Sequence, residues 1–194
     1  AQQIMDLIGQ GYSRGVKLMV FPELCLTAYT CADLFGQKAL LRRAKEELGR
    51  IVRFTDGKDI LVFLGLPWER DGKLYNAAAA IQKGRLIGVV PKRNLPNYSE
   101  FYEQRHFVSG DALDCMEGVC VKNGEGETVC VPVVTGQVFA CEEQPLFTFG
   151  VELCEDLWVA APPSIELAQG GAHIIANLSA SDELVGKAAY RRDL

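Results

Sequence analysis

The chain alternates short apolar runs with segments of helical periodicity. "AQQIMDLIGQGYSRG" is an amphipathic helix pattern, and it predicts a helix over Gln2–Ser13 that ends near the turn signals Gly11 and Gly15. "VKLMVFPEL" follows as a short apolar strand stopped by Pro22. "CLTAYTCADLF" reads as a loop, with Asp33 or Thr30 as the N-cap of a helix over 34–54. That helix gathers Arg42, Arg43, Lys45, Glu46, Glu47 and Arg50 on one side, the pattern of a solvated face. "KDILVFLGLPWE" is a second buried strand. "KLYNAAAAIQKGRLIGVVPKRNL" gives two strands joined by a tight turn at Lys83 and Gly84. Residues 115–144 carry scattered glycines, short β-branched runs and an acidic "NGEGET" turn, and predict an irregular insertion with hairpins. Order then returns as a strand over 146–153, a "CEDLW" turn and a proline-started helix from Pro162 or Pro163 to Gln169. The strand "AHIIANLS" and a helix after Asp182 close the chain. This alternation implies an α/β domain, and the hairpin near Lys83 makes its sheets mixed rather than purely parallel.

The 194 residues suffice for one domain with a sizeable core, and 48% hydrophobic with 23% charged content is ordinary for a globular chain. A net charge of −5 with no basic stripe argues against a nucleic-acid partner. No apolar run approaches the ~20 residues that span a bilayer, so no membrane partner is expected. The opening lacks the basic n-region of a signal peptide. The cysteines, at 25, 31, 115, 120, 130, 141 and 154, are odd in number and show no C-x-x-C spacing. Neither a zinc site nor a disulfide framework is expected, and the reading is a reducing, cytoplasmic location. The chain opens and closes inside helix patterns, which predicts a fragment of a longer protein with both ends cut.

Three polar residues follow apolar strands in the same manner: Glu23 after "LMVFP", Lys92 after "LIGVVP" and Cys154 after "FTFGVEL". In α/β sheets the carboxyl ends of strands form the crevice where ligands bind. A carboxylate can take a thiol proton, an ammonium can stabilise an oxyanion, and a thiolate can attack an acyl carbon. The acids around Cys154 (Glu152, Glu155 and Asp156) oppose this, because negative neighbours raise a thiol's pKa. Asp156 is read as a cap of the turn. His173 is read as a satisfied core histidine in its apolar strand, and His106 as surface or loop.

The wording of "FPELCLTAY", "PKRNLPNYSEFYEQRHF" and "GVELCEDLW" resembles the nitrilase, or carbon-nitrogen hydrolase, superfamily. Within it, "LPNYSEFYEQRHF", "CEDLW" and "NLSASDELVGKAAYRR" are most similar to the glutaminase domains of glutamine-dependent NAD synthetases. The resemblance implies a four-layer α-β-β-α sandwich and a single, incomplete carbon-nitrogen hydrolase domain over residues 1–194. It makes Glu23 the general base, Lys92 the catalytic lysine and Cys154 the nucleophile. Glu103 becomes a second glutamate that supports the lysine or the substrate. Tyr98, Ser181 and Lys187 take the positions that hold glutamine, and the backbone N–H of Glu155 is an oxyanion donor. The implied partners are glutamine and an ATP-dependent synthetase domain of the parent chain that amidates deamido-NAD, with homo-oligomerisation. No cofactor is needed for glutamine hydrolysis; ATP and Mg belong to the synthetase domain, for which this chain has no pyrophosphate-binding loop. Two alternatives stay open from the residues: a stand-alone nitrilase-type amidase acting on another small amide, and an inactive fragment serving as a structural or oligomerisation unit.

Overall fold

A computed structural model describes residues 1–113, 118–122 (backbone only) and 128–193. Two sheets pack face to face with helices outside. The first sheet has the order β1 (Leu18–Val20), β2 (Leu61–Arg70), β3 (Lys73–Gln82) and β4 (Arg85–Pro91). β1 runs parallel to β2, and the other neighbours are antiparallel. Both hairpins turn on two residues with positive φ, Asp71–Gly72 (51° and 73°) and Lys83–Gly84 (46° and 74°), as the twist of adjoining strands favours. After a separate hairpin of β5 (Gly118–Lys122) and β6 (Thr128–Pro132), the second sheet is formed by β7 (Val138–Ala140), β8 (Thr148–Leu153) and β9 (Ile174–Leu178). Here β8 lies antiparallel to β7 and parallel to β9.

The continuous apolar run of β2 has a simple cause: both of its faces are covered. Val62, Leu64 and Leu66 point with Ala77, Ala79 and Ile81 toward α1 (Gln2–Ser13) and α2 (Lys38–Phe54), meeting Ile4, Ile8, Leu48 and Ile51. The alternate residues Leu61 and Phe63, with Ala78, Ala80 and Val90, face Phe149, Val151, Leu153, Ala176 and Leu178 of the second sheet. α3 (Pro163–Gln169) seals the outer side through buried Leu167, which lies against Gly150 of β8. The layers are therefore α-β-β-α.

Several expectations shift. α2 begins at Lys38 behind Gln37 with no side-chain cap, because residues 29–36 already form a 3-10 stretch kinked at Ala32 (φ 47°). Asp33 does not cap; it pairs with Arg105 at 2.9 Å. The strand expected over 146–153 begins at Thr148, since a turn closed by Cys141 N–H on the Phe147 carbonyl leaves Leu146 exposed. The insertion expected over 115–144 is a hairpin for part of its length, but β7 belongs to the second sheet; Cys115 and most of "NGEGET" lie outside the described residues. α4 spans Lys187–Asp193, starting just past Gly186 with its φ of 87°. His173 is exposed rather than a core residue, and its Nδ1 lies 2.7 Å from the Thr148 hydroxyl.

One glycine sets the position of the turn that carries Glu23. A Cβ on Gly65 in β2 would overlap the backbone of Pro22, Glu23 and Leu24. That close approach lets Leu26 N–H reach the Gly65 carbonyl at 3.2 Å. Gly65→Ala is therefore expected to destabilise the domain by about 1–3 kcal/mol in urea denaturation, the usual cost of overpacking. Gly36→Ala, where a Cβ meets nothing within 4 Å, should stay within about 0.5 kcal/mol of the parent.

Candidate active site

Glu23, Lys92 and Cys154 sit one to three residues past the ends of β1, β4 and β8. Lys92 prolongs the ladder of β4: its N–H donates to the Asn76 carbonyl of β3 at 2.8 Å, which fixes its side chain beside that of Asn76. Glu103 opens a 3-10 turn, Glu103–Arg105, with its N–H on the Pro96 carbonyl at 3.1 Å.

These placements bury a complete charge cluster. Lys92 is 0% exposed, Glu23 1% and Glu103 4%. Lys92 Nζ lies 2.6 Å from Glu23 Oε1 and 2.7 Å from Glu103 Oε1. Asn76 Nδ2 donates to Glu23 Oε1 at 2.7 Å and to Glu103 Oε2 at 3.2 Å. The Tyr29 hydroxyl donates to Glu103 Oε1 at 2.8 Å, and Ala180 N–H donates to Glu23 Oε2 at 3.1 Å. Burial works against the Lys92 ammonium, yet the two carboxylates outweigh it and hold its pKa above the ordinary lysine value. Burial pushes the Glu23 carboxyl upward; Lys92 and Asn76 pull it down, and the Glu103 charge pushes it up again. Tyr29 is raised by burial and by Glu103, so it stays a hydroxyl donor.

Cys154 is buried, with φ 43°, at the junction of β8 and a 3-10 turn, Cys154–Trp158. A non-glycine residue in the left-handed region costs about 1–2 kcal/mol and persists only where surroundings impose it. Here Asn177 Nδ2 donates to the Cys154 carbonyl at 3.4 Å and to Glu152 Oε1 at 3.2 Å, while Glu152 Oε2 accepts Ser164 N–H at 3.0 Å. Asp156 caps the turn as expected, taking Leu153 N–H at 3.0 Å, and it also takes the N–H and side-chain amide of Asn94, at 2.8 and 2.9 Å. The loop after Lys92 is thus tied to the turn after Cys154. The thiol is pushed up to about 11 by burial and by Glu23; Lys92, the Ser179 side chain and Ala180 N–H act in the opposite direction. Ala180 N–H therefore acts on both the Glu23 carboxylate and the sulfur. A protonated thiol beside a carboxylate base and a fixed ammonium can add to an electrophilic carbon as its proton leaves.

The remaining candidates are placed differently. Tyr98 is exposed and donates its hydroxyl to Glu155 Oε2 at 2.8 Å, just past the cysteine. Ser181 Oγ accepts from Arg191 at 2.8 Å. Lys187 Nζ reaches Asp182 Oδ1 at 2.5 Å and the Asp182 carbonyl at 3.0 Å, and lies 5.6 Å from the centre of the Trp158 ring. Lys92 is therefore in direct contact with both Glu23 and Glu103, whereas Ser181 and Lys187 are engaged within their own segment. Asn76, Tyr29, Asn177 and Ala180 were not visible as site residues in the motifs. Asn76 carried one signal, a lone amide in the buried run "YNAAAAI". Among the described residues no His, Cys, Asp and Glu cluster could hold a metal ion, and no helix is long and apolar enough to cross a membrane.

Comparison with known proteins agrees with this architecture. The family model "Carbon-nitrogen hydrolase" matches residues 1–192. The chain is 38% identical over 194 residues to a glutamine-dependent NAD(+) synthetase of Mycobacterium tuberculosis, covering 99% of this chain and 27% of the relative. A crystal structure of a glutamine-dependent NAD(+) synthetase from Cytophaga hutchinsonii superposes with a TM-score of 0.81 at 28% identity, over 99% of this chain and 29% of that one. A carbon-nitrogen hydrolase from Helicobacter pylori shares the fold, with a TM-score of 0.66 at 19% identity, over 99% of this chain and 60% of that one. The chain thus spans little more than a quarter of the length of the synthetases it matches. With a shared sandwich and a family match across nearly every residue, the chain belongs to the carbon-nitrogen hydrolase family.

Proposed function

We propose that this domain hydrolyses the side-chain amide of glutamine and supplies the ammonia to an ATP-dependent synthetase domain that converts deamido-NAD to NAD. The observation that carries the chemistry is the buried Lys92, clamped between Glu23 and Glu103 beside the Cys154 thiol. The choice of glutamine is supported by the names of the relatives and by the wording of residues 95–107, 154–158 and 177–192. ATP and magnesium belong to the synthetase step, and no residue of this chain is assigned to them. The parent is proposed to be a cytoplasmic homo-oligomer.

In the proposed reaction Glu23 accepts the Cys154 proton as sulfur bonds to the amide carbon. The oxyanion so formed is stabilised by Lys92 and by the Glu155 N–H. Collapse breaks the carbon–nitrogen bond, the proton on Glu23 goes to the departing nitrogen, and ammonia leaves a γ-glutamyl thioester. Glu23 then takes a proton from water as the water attacks, and glutamate and the free thiol are released. The resting state suits this sequence. A thiol held near 11 is protonated at neutral pH, so proton removal must accompany attack, and the adjacent Glu23 provides the base.

Three outcomes are expected. Cys154→Ala, in the natural protein, should abolish glutamine-dependent NAD formation while leaving ammonia-dependent formation largely intact; retained glutamine hydrolysis would sink the assignment. Glu23 must be ionised to act, and its pKa is raised, so kcat/KM should rise with pH through a midpoint above the ordinary glutamate value of about 4.3. A limb at or below that value would remove Glu23 from the role of base. Lys187→Ala should raise the glutamine KM by tens of fold or more with a smaller change in kcat, because truncating the partner of a desolvated charge costs about 2–5 kcal/mol. Wild-type kinetics in that variant would leave Lys187 a partner of Asp182 alone.

A further inference from the structure

Asn76 lies in the middle of β3, is 0% exposed, and precedes four alanines that pack between the layers. A fully buried polar side chain in an otherwise apolar run needs a reason. Its Nδ2 makes two hydrogen bonds, one to each of the carboxylates that hold Lys92. Its Oδ1 is buried with no partner among the described residues. A buried amide left half satisfied is costly, and turning it over would set its oxygen against two carboxylates. The orientation is thus dictated by Glu23 and Glu103, and the residue is kept for what its NH2 group does.

We propose that Asn76 is a positioning residue of the active site, whose NH2 group ties Glu23 to Glu103 and keeps the Glu23 carboxylate ionised with its second oxygen beside the Cys154 thiol. Two carboxylates sharing one ammonium repel each other, and Lys92 alone leaves the pair with a surplus negative charge. An amide donor that reaches both lowers this repulsion without adding a charge. The second oxygen of Glu23 is left on Ala180 N–H, next to the sulfur. The charged and titratable groups facing Glu23 are Lys92 after β4, Glu103 in its 3-10 turn and Cys154 after β8, with Tyr29 acting through Glu103. Loss of the Asn76 donor therefore favours the protonated form of Glu23.

The inference rests on the role proposed for Glu23, and its test does not require glutamine to be the substrate. The pH dependence of Cys154 alkylation by iodoacetamide, read by peptide mass spectrometry on the natural protein, reports Glu23 ionisation without any amide bond being cleaved. Glu23→Gln, which should erase the acidic limb, serves as the control. Asn76→Ala is expected to move that limb up by about one pH unit, the worth of one hydrogen bond to a charged group. In glutamine turnover the same variant should lower kcat about ten-fold with KM within about two-fold, since Asn76 is fully buried behind the two carboxylates. Asn76→Asp keeps the shape, replaces the donor with a third acid oxygen, and should move the limb further in the same direction; it carries the test if the alanine variant does not fold. A limb that stays in place in a cooperatively melting variant overturns the proposal, whatever the turnover. If the limb moves while the wild-type protein leaves glutamine intact, the glutamine reading fails and the role of Asn76 stands.

Discussion

The structure depends on keeping one ammonium, that of Lys92, charged where no water reaches it. Removing such a group from water costs several kcal/mol, and only close opposite charges with further hydrogen bonds offset this. Each group that offsets it here comes from a different part of the chain: Glu23 after β1, Asn76 within β3, Glu103 from a 3-10 turn, Tyr29 from the loop before α2, and Ala180 after β9. The first four surround the end of the first sheet. Ala180 belongs to the second, so its bond to Glu23 joins the two sheets at the point where the chemistry is proposed. A cluster of this kind stabilises a fold less than an apolar core of equal volume would. Its retention in the deepest part of the strand ends is better explained by use than by stability.

The acids around the cysteine now have separate explanations. Glu152 is taken up by Ser164 N–H and Asn177, Asp156 by three donors of its own turn and the Lys92 loop, and Glu155 by the Tyr98 hydroxyl. What acts most on the sulfur is burial, then Glu23 and Lys92. The segment "LCEDLW" is therefore acidic in composition without being the source of the thiol's high pKa. Its acids hold the turn, and the turn holds Cys154 in a backbone conformation that a residue with a Cβ rarely adopts.

The legible and illegible parts of this fold divide along physical lines. Strands covered on both faces, such as β2, announce themselves as unbroken apolar runs, and the Lys83–Gly84 hairpin is written in turn chemistry that acts within four residues. The start of α2 is displaced by a 3-10 stretch whose Asp33 pairs with Arg105 far along the chain, and the start of β8 by the turn that Cys141 and Phe147 close, and neither is marked by the apolar periodicity. The site behaves likewise. Glu23, Lys92 and Cys154 are readable because each follows an apolar strand. Asn76 and Tyr29 matter only through partners 27 to 74 positions away, so their roles appear once the sheets are assembled.

The same division separates the proposed chemistry from the proposed recognition. The Glu23–Lys92–Glu103 cluster is buried and its partners are all spoken for, so it has little freedom to rearrange when a substrate arrives. Ser181 and Lys187 lie in a segment held by its own pairs, Ser181 with Arg191 and Lys187 with Asp182, and by the stacking of Tyr190 on Trp158 at 5.3 Å. Trp158 ends the turn that begins at Cys154, so the segment rests directly on that turn. Asp182 offers Lys187 what an amino-acid carboxylate would offer it. Under the glutamine reading, binding is then an exchange of one carboxylate for another at Lys187, which keeps an anionic partner throughout. Tyr98 faces the same kind of exchange on the other side of the turn, since its hydroxyl already donates to Glu155, so the proposed recognition groups, unlike the buried cluster, must change partners when the substrate arrives.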